Sequence, residues 1–122
     1  MESILTSIKK LLGIEEDYKQ FDTDIIIHIN TVLMGLTQIG VGPEEGFAIT
    51  DEYSTWEDFI GDKPYLNSAK SYMYLRVRTL FDPPLSSAAL DSMKKLADEF
   101  EWRLQVAVEN HKSAEKEDET YE

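Results

Sequence analysis

DTDIIIHINTVLMGLTQIG, residues 22–40, is the stretch on which the fold turns. Ile25, Ile29, Val32, Leu33, Leu36 and Ile39 recur at helical spacing, and Ile26 widens the apolar face they make. The β-branched run from Ile25 to Ile27 would also suit the start of a strand. The 3.6-residue spacing persists over about four turns, so the segment reads as a helix. Asp22 or Thr23 is placed to cap it, and Gly40 and Gly42-Pro43 end it. Its start is apolar all round, which predicts a helix at the centre of the fold.

Working outward, SILTSIKKLL at residues 3–12 sets Ile4, Leu5, Ile8, Leu11 and Leu12 on a second helical face, with Ser3 as cap and Gly13 as stop. Residues 14–22 form an acidic turn that includes Tyr18 and Phe21. Residues 41–54, VGPEEGFAITDEYS, form a long loop in which Phe47, Ile49 and Tyr53 sit among acids. A loop of that length in a small domain tends to be functional or mobile. TWEDFIGD, residues 55–62, reads as a short helical turn capped by Thr55, with Trp56, Phe59 and Ile60 facing the core.

KPYLNSAKSYMYLRVRTL, residues 63–80, carries the stripe Leu66, Ala69, Met73, Val77 and Leu80. Its part from Tyr72 to Arg78 also alternates as a strand would, and the longer helical stripe decides for helix. Asp82-Pro83-Pro84 forces a turn. Residues 85–112 read as a last long helix, capped by Ser86 or Ser87, with Leu85, Ala89, Met93, Leu96, Phe100, Leu104 and Ala107 as its buried stripe and Trp102 and Val106 off it. SAEKEDETYE, residues 113–122, has the composition of a flexible tail. The expectation is an all-α domain over residues 1–112: a small bundle of about four helices, a long loop between the second and third, and a flexible acidic tail over residues 113–122.

The 122-residue chain has 24 acidic and 12 basic residues, a net charge of −12. The charge is uneven: residues 13–62 carry net −11, whereas residues 63–80 carry +4 and no acid. Such a chain does not hold DNA by neutralising phosphates, although an acidic wall around DNA prevents sticking. There is no cysteine, which excludes disulfides, thiolate metal sites and a cysteine nucleophile. Met1 to Leu12 does not read as an export signal, because its lysines come late, and no stretch reads as a membrane anchor.

Chemistry-bearing patterns are sparse. Asp24 and His28 are four apart on one helix, which suits half a metal site or an acid–base pair as well as a local hydrogen bond; no further ligand is placed to complete a site. No serine has a suggestive histidine context, the six glycines form no phosphate loop, and the acid clusters have no EF-hand spacing. The expectation is therefore no enzyme, no metal and no cofactor. Tyr65, Tyr72 and Tyr74 with Arg76 and Arg78 are the richer group, because tyrosine and arginine favour protein interfaces. The same residues also fit a core helix whose arginines pair with the chain's own acids, and a base-stacking surface is conceivable. Candidate partner contacts are Tyr72, Tyr74, Arg76 and Arg78, Phe47 and Tyr53 in the long loop, and Glu109, His111 and Lys112 near the end of the last helix.

LLGIEEDYKQFDTDIIIHINTVLMGLTQIGVGP, then TWEDFIGD, then SYMYLRVRTLFDPPLSSAALDSMKKLADEFEWRL, resemble in content and order the small head–tail connector proteins of tailed phages and prophages of Gram-positive bacteria. The Arg76-x-Arg78 step into Phe81-Asp82-Pro83-Pro84 is the most specific local part, and the resemblance spans roughly residues 3–108. It implies a non-enzymatic all-α virion protein without cofactor, found in the host cytoplasm before assembly and at the head–tail interface after it. It further implies a homo-oligomeric ring of about a dozen copies, docked on the portal protein, joined to the next neck or stopper protein, with DNA passing through the lumen unbound and no contact with a membrane. Complementary acidic and basic lateral faces would suit such a ring. The alternative reading is an acidic regulatory module that mimics DNA.

Overall fold

The computed structural model describes the backbone of residues 2–120 and the side chains of residues 2–114. Among the described residues there are five helices and no strand: α1 (Ile4–Leu11), α2 (Asp22–Gln38), α3 (Trp56–Ile60), α4 (Leu66–Phe81) and α5 (Ser87–Thr120). The fold is the expected small all-α bundle. The segment from Tyr72 to Arg78, ambiguous in pattern, is helical throughout.

Three of the five helices start on a side-chain cap. Ser3 Oγ accepts from Thr6 N at 3.2 Å and caps α1. Thr55 and Asp58 form a reciprocal capping box on α3. Ser86 Oγ accepts from Ala89 N at 3.3 Å ahead of α5. At α2 neither Asp22 nor Thr23 serves as cap: the cap position is Phe21, with no side-chain hydrogen bond. Asp22 is used elsewhere. Its carboxylate lies 2.9 Å from the ammonium of Lys9, which is buried and also donates to the backbone oxygens of Glu16 (3.0 Å) and Tyr18 (2.7 Å). One ammonium thus donates two hydrogen bonds to backbone oxygens, holds Asp22 as an ion pair, and ties the acidic turn to α1.

α4 packs between α2 and α5 and also touches α1. Phe81 at the end of α4 meets Phe21 and His28 at the start of α2, so these two helices are antiparallel. Tyr72–Glu101 and Arg76–Asp98 pair α4 antiparallel to α5. α2 and α5 therefore point the same way on two sides of α4. The core gathers Ile4, Leu5 and Ile8 from α1, Ile25, Ile29, Leu33 and Leu36 from α2, Trp56 and Phe59 from α3, Ala69, Met73 and Val77 from α4, and Leu104 and Val108 from α5.

Three expectations need correction. α2 is not enclosed on all sides, because Ile27 and Met34 are 57% and 61% exposed on its outer face. The expected buried stripe of α5 holds only in its second half: Leu104 is buried and Phe100 and Ala107 pack on the core, joined by Ala97 and Val108, whereas Leu85, Ala89 and Leu96 are exposed. The last helix also runs past residue 112 to Thr120, with residues 121 and 122 of the expected tail outside the described residues.

The long loop is built into the body. Val41 and Ile49 are buried, and Phe47 stacks on Phe59 with ring centres 5.3 Å apart. The Asn30 side chain clasps Ile49 from both sides, accepting from its N at 2.8 Å and donating to its O at 2.9 Å. Gly42 has φ +88°, and a Cβ there would stand 2.3 Å from Phe59 Cε1, so the backbone passes against the ring where no side chain fits. The far end of the loop pairs with the N-terminus, Ile4 N to Ser54 O at 3.0 Å and Trp56 N to Glu2 O at 3.2 Å. Trp56 Nε1 donates to the buried Ser7 Oγ at 2.8 Å.

Candidate protein interface

The tyrosine–arginine segment lies on α4, and the structure divides it between two environments. Tyr72 is buried at the α4–α5 seam, where its hydroxyl donates to Glu101 Oε1 at 3.1 Å. Burial pushes its phenol pKa up, against the pull of the nearby Arg76 guanidinium. Arg76 lies 5.2 Å over the Tyr72 ring and pairs with Asp98 at 2.7 Å. Tyr74 is half-buried and accepts from Arg78 Nη1 at 3.0 Å. The two lysines of the same basic stretch are also engaged within the chain: Lys70 with Glu2 at 3.2 Å, and Lys63 with His111 Nε2 at 3.2 Å. The positive charge that looked available for a neighbour is thus drawn onto the chain's own acids, tyrosines and histidine.

Of the loop candidates, Phe47 packs inward on Phe59, whereas Tyr53 is 77% exposed beyond an Asp51 side-chain turn (Tyr53 N to Asp51 Oδ1, 2.9 Å). The structure brings the other end of that loop to the C-terminal candidates. Gly40, Gly42 and Glu44 face Glu109 and Lys112 across a cleft of about 770 Å³ between the end of α2 and α5. His111 lies half-buried beside it with Lys63. Asp24 is exposed, and the His28 ring sits edge-on to Phe81 at 6.2 Å. Among the described residues, no three His, Cys, Asp or Glu side chains gather as metal ligands. Among the same residues, no helix is long and apolar enough to cross a membrane.

Sequence reasoning missed the exposed apolar residues. On α2, Ile27, Thr31, Met34 and Gln38 share one outward face. On the α4–α5 corner, Leu80 is half-exposed and Leu85 fully so, followed by Leu96 on α5. The available signal was charge: residues 25–43 and 83–90 contain no Asp, Glu, Lys or Arg, in a chain that is 30% charged. Both runs read instead as core and turn.

No curated protein and no solved structure matches the chain. A family model does, and it spans the whole helical body from α1 to His111. By that match to the phage connector proteins over residues 4–111, the chain belongs to the phage connector family, whose role is structural and whose place is the head–tail junction of the virion.

Proposed function

We propose that this chain forms a ring of about a dozen copies that docks on the portal protein, receives the next neck or stopper protein on its other side, and lets DNA pass through the lumen. The observation that carries the reading is the family match across residues 4–111, which leaves out none of the five helices' packed parts. The subunit works by contact and not by catalysis or with a cofactor. It waits in the host cytoplasm and ends in the virion.

The surface supports the role. Glu15, Glu16 and Asp17 converge with Glu52 into one acidic corner, neutralised only in part by the Lys19–Glu52 pair at 3.0 Å. A wall of that sign repels the DNA backbone and suits passage without sticking. Tyr53, Glu109 and Lys112 are outward-facing contacts for the portal or the next neck protein, on the loop and at the cleft. Tyr74 and Arg78 border the same helix as the seam and are offered as secondary contacts, with Tyr72, Arg76, Phe47 and His111 behind them as supports.

The test is the mass of the purified protein alone and mixed with its cognate portal protein. A ring captured on the portal is expected. A chain that stays monomeric and ignores the portal overturns the reading, and a one-to-one complex with a basic nucleic-acid-binding protein would replace it with the DNA mimic.

A further inference from the structure

The first turns of α5 are an oddity of the fold. From Asp82 to Leu96 no side chain is buried; Pro84, Leu90 and Met93 are half-covered, and the first buried residue of the helix is Ala97. The pairing Tyr72–Glu101 and Arg76–Asp98, continued up α4, brings Phe81 level with about residue 93, given a 1.5 Å rise on each helix. Residues 82–92 therefore project past the end of α4 as a tip that is helical from Ser87 on. Leu85, Ala89, Ser92 and Leu96 lie along one side of it, all exposed. The outer face of α2 presents Ile27, Thr31, Met34 and Gln38, also all exposed. Each row spans twelve residues, about 16 Å along α2 and similar along the tip, where Leu85 stands just ahead of the first turn of α5, and none of the eight residues is charged.

Resting on the reading that the chain assembles with itself, we propose that the α5 tip of one copy docks on the outer face of α2 in the next copy. Electrostatics selects the occupant. Two chains of net charge −12 repel, so their contact is favoured where neither carries charge. These two rows lie at uncharged stretches of a surface that also exposes Leu11, Tyr53 and Trp102 beside charged neighbours. The basic segment offers less, because Lys70 and Arg76 are paired with Glu2 and Asp98 of the same chain, and Lys63 and Arg78 are hydrogen-bonded to His111 and Tyr74.

Geometry selects the mode. α2 and α5 flank α4 on two sides, so the contact is between unlike faces and propagates from copy to copy, as a closed ring requires. With about a dozen copies each is turned by about 30° from the last. α5 of one copy then meets α2 of the next in nearly the parallel sense that the two helices have within one subunit. That places Leu85 towards Ile27 and Leu96 towards Met34 and Gln38.

The absence of cysteine allows a direct test. The full-length variants Met34→Cys and Leu96→Cys are mixed under mild oxidation, with and without the portal protein, beside a Glu57→Cys and Leu96→Cys control mixture. The mixed Met34–Leu96 disulfide is expected to form at least ten-fold faster than either like pair or the control. The doubly substituted chain should give a ladder ending in a closed ring. Association of the unmodified chain should tighten as salt is raised, because screening removes the repulsion and no interfacial ion pair is lost. A portal-bound ring in which the mixed bond forms no faster than the control overturns this inference and leaves the connector reading standing. Bonds mainly between like variants, or weaker association in salt, overturn it also. A chain that ignores the portal overturns the connector reading, while the cross-linking of the free chain still decides the α5–α2 contact.

Discussion

Residues 41–54 and residues 82–96 exchange the roles their sequences suggest. The first is rich in glycine and acids and lacks a helical repeat, yet it places Val41 and Ile49 in the core and lies under Phe59. The second begins a strongly periodic helix, yet buries nothing before Ala97. Periodicity shows that a helix has an apolar side; it does not show which molecule covers that side. Loop composition, likewise, does not show the long-range contacts that hold a loop still. The loop is fastened by single residues far away in sequence, whereas the tip has only the partial cover of Pro84, Leu90 and Met93.

The comparison breaks most sharply at the fastenings. Lys9→Met is expected to be the most damaging change, by about 3–5 kcal/mol, because it leaves the Asp22 carboxylate and the oxygens of Glu16 and Tyr18 without their cation. Urea unfolding measures it; a loss under about 1 kcal/mol would mean that water replaces the ammonium and that the acidic turn is not pinned. Gly42→Ala follows, at roughly 2–4 kcal/mol, from a left-handed backbone and a Cβ driven into the Phe59 ring. Near-neutral stability in that variant would show that the loop gives way freely, and the contrast with the tip would disappear.

At the tip the expectation reverses. Leu85→Ser should change unfolding free energy by no more than about 0.5 kcal/mol, since a fully exposed side chain has little burial to lose. The same substitution should weaken self-association by about ten-fold, read by sedimentation at fixed salt, if the tip has a partner. A destabilised monomer would place Leu85 against its own subunit and remove the reason for calling the tip unoccupied.

Much of the body was legible. The α2 face, the Thr55 cap with Trp56, Phe59 and Ile60 inward, the end of α4 at Phe81 and the all-α class all follow from local spacing and caps. What was not legible depends on distance in sequence. Asp22 looks like a cap until Lys9 is seen beside it. Leu85 fits the stripe of α5 until α4 is seen to end too early to cover it, and Leu96, level with about Arg78, faces away from the seam. For the candidate contacts, residue type was a poor guide: Tyr72 and Arg76 have the composition of an interface and lie in the seam between α4 and α5. The absence of charge over residues 25–43 and 83–90 was the better sign, because an acidic chain that must touch copies of itself is constrained first by repulsion.

The far end of α5 supplies the smallest effect and the finest control. Among the side chains described, Val108 is the last buried one of the helix, with His111 half-buried beyond it. Removing residues 113–122 therefore leaves the core intact and should move Tm by less than about 2 °C. It also removes five acids and Lys116, a net −4, from a chain of −12. If repulsion between copies limits their association, the shortened chain should assemble at lower salt than the full one with its melting curve unchanged. A loss of several degrees would mean that the tail packs on the body. An unchanged Tm with unchanged salt dependence would mean that the tail's charge lies too far from the contact to be felt through a Debye length of about 10 Å at 0.1 M salt, which would set the α5 tip and the tail at opposite ends of the assembled subunit.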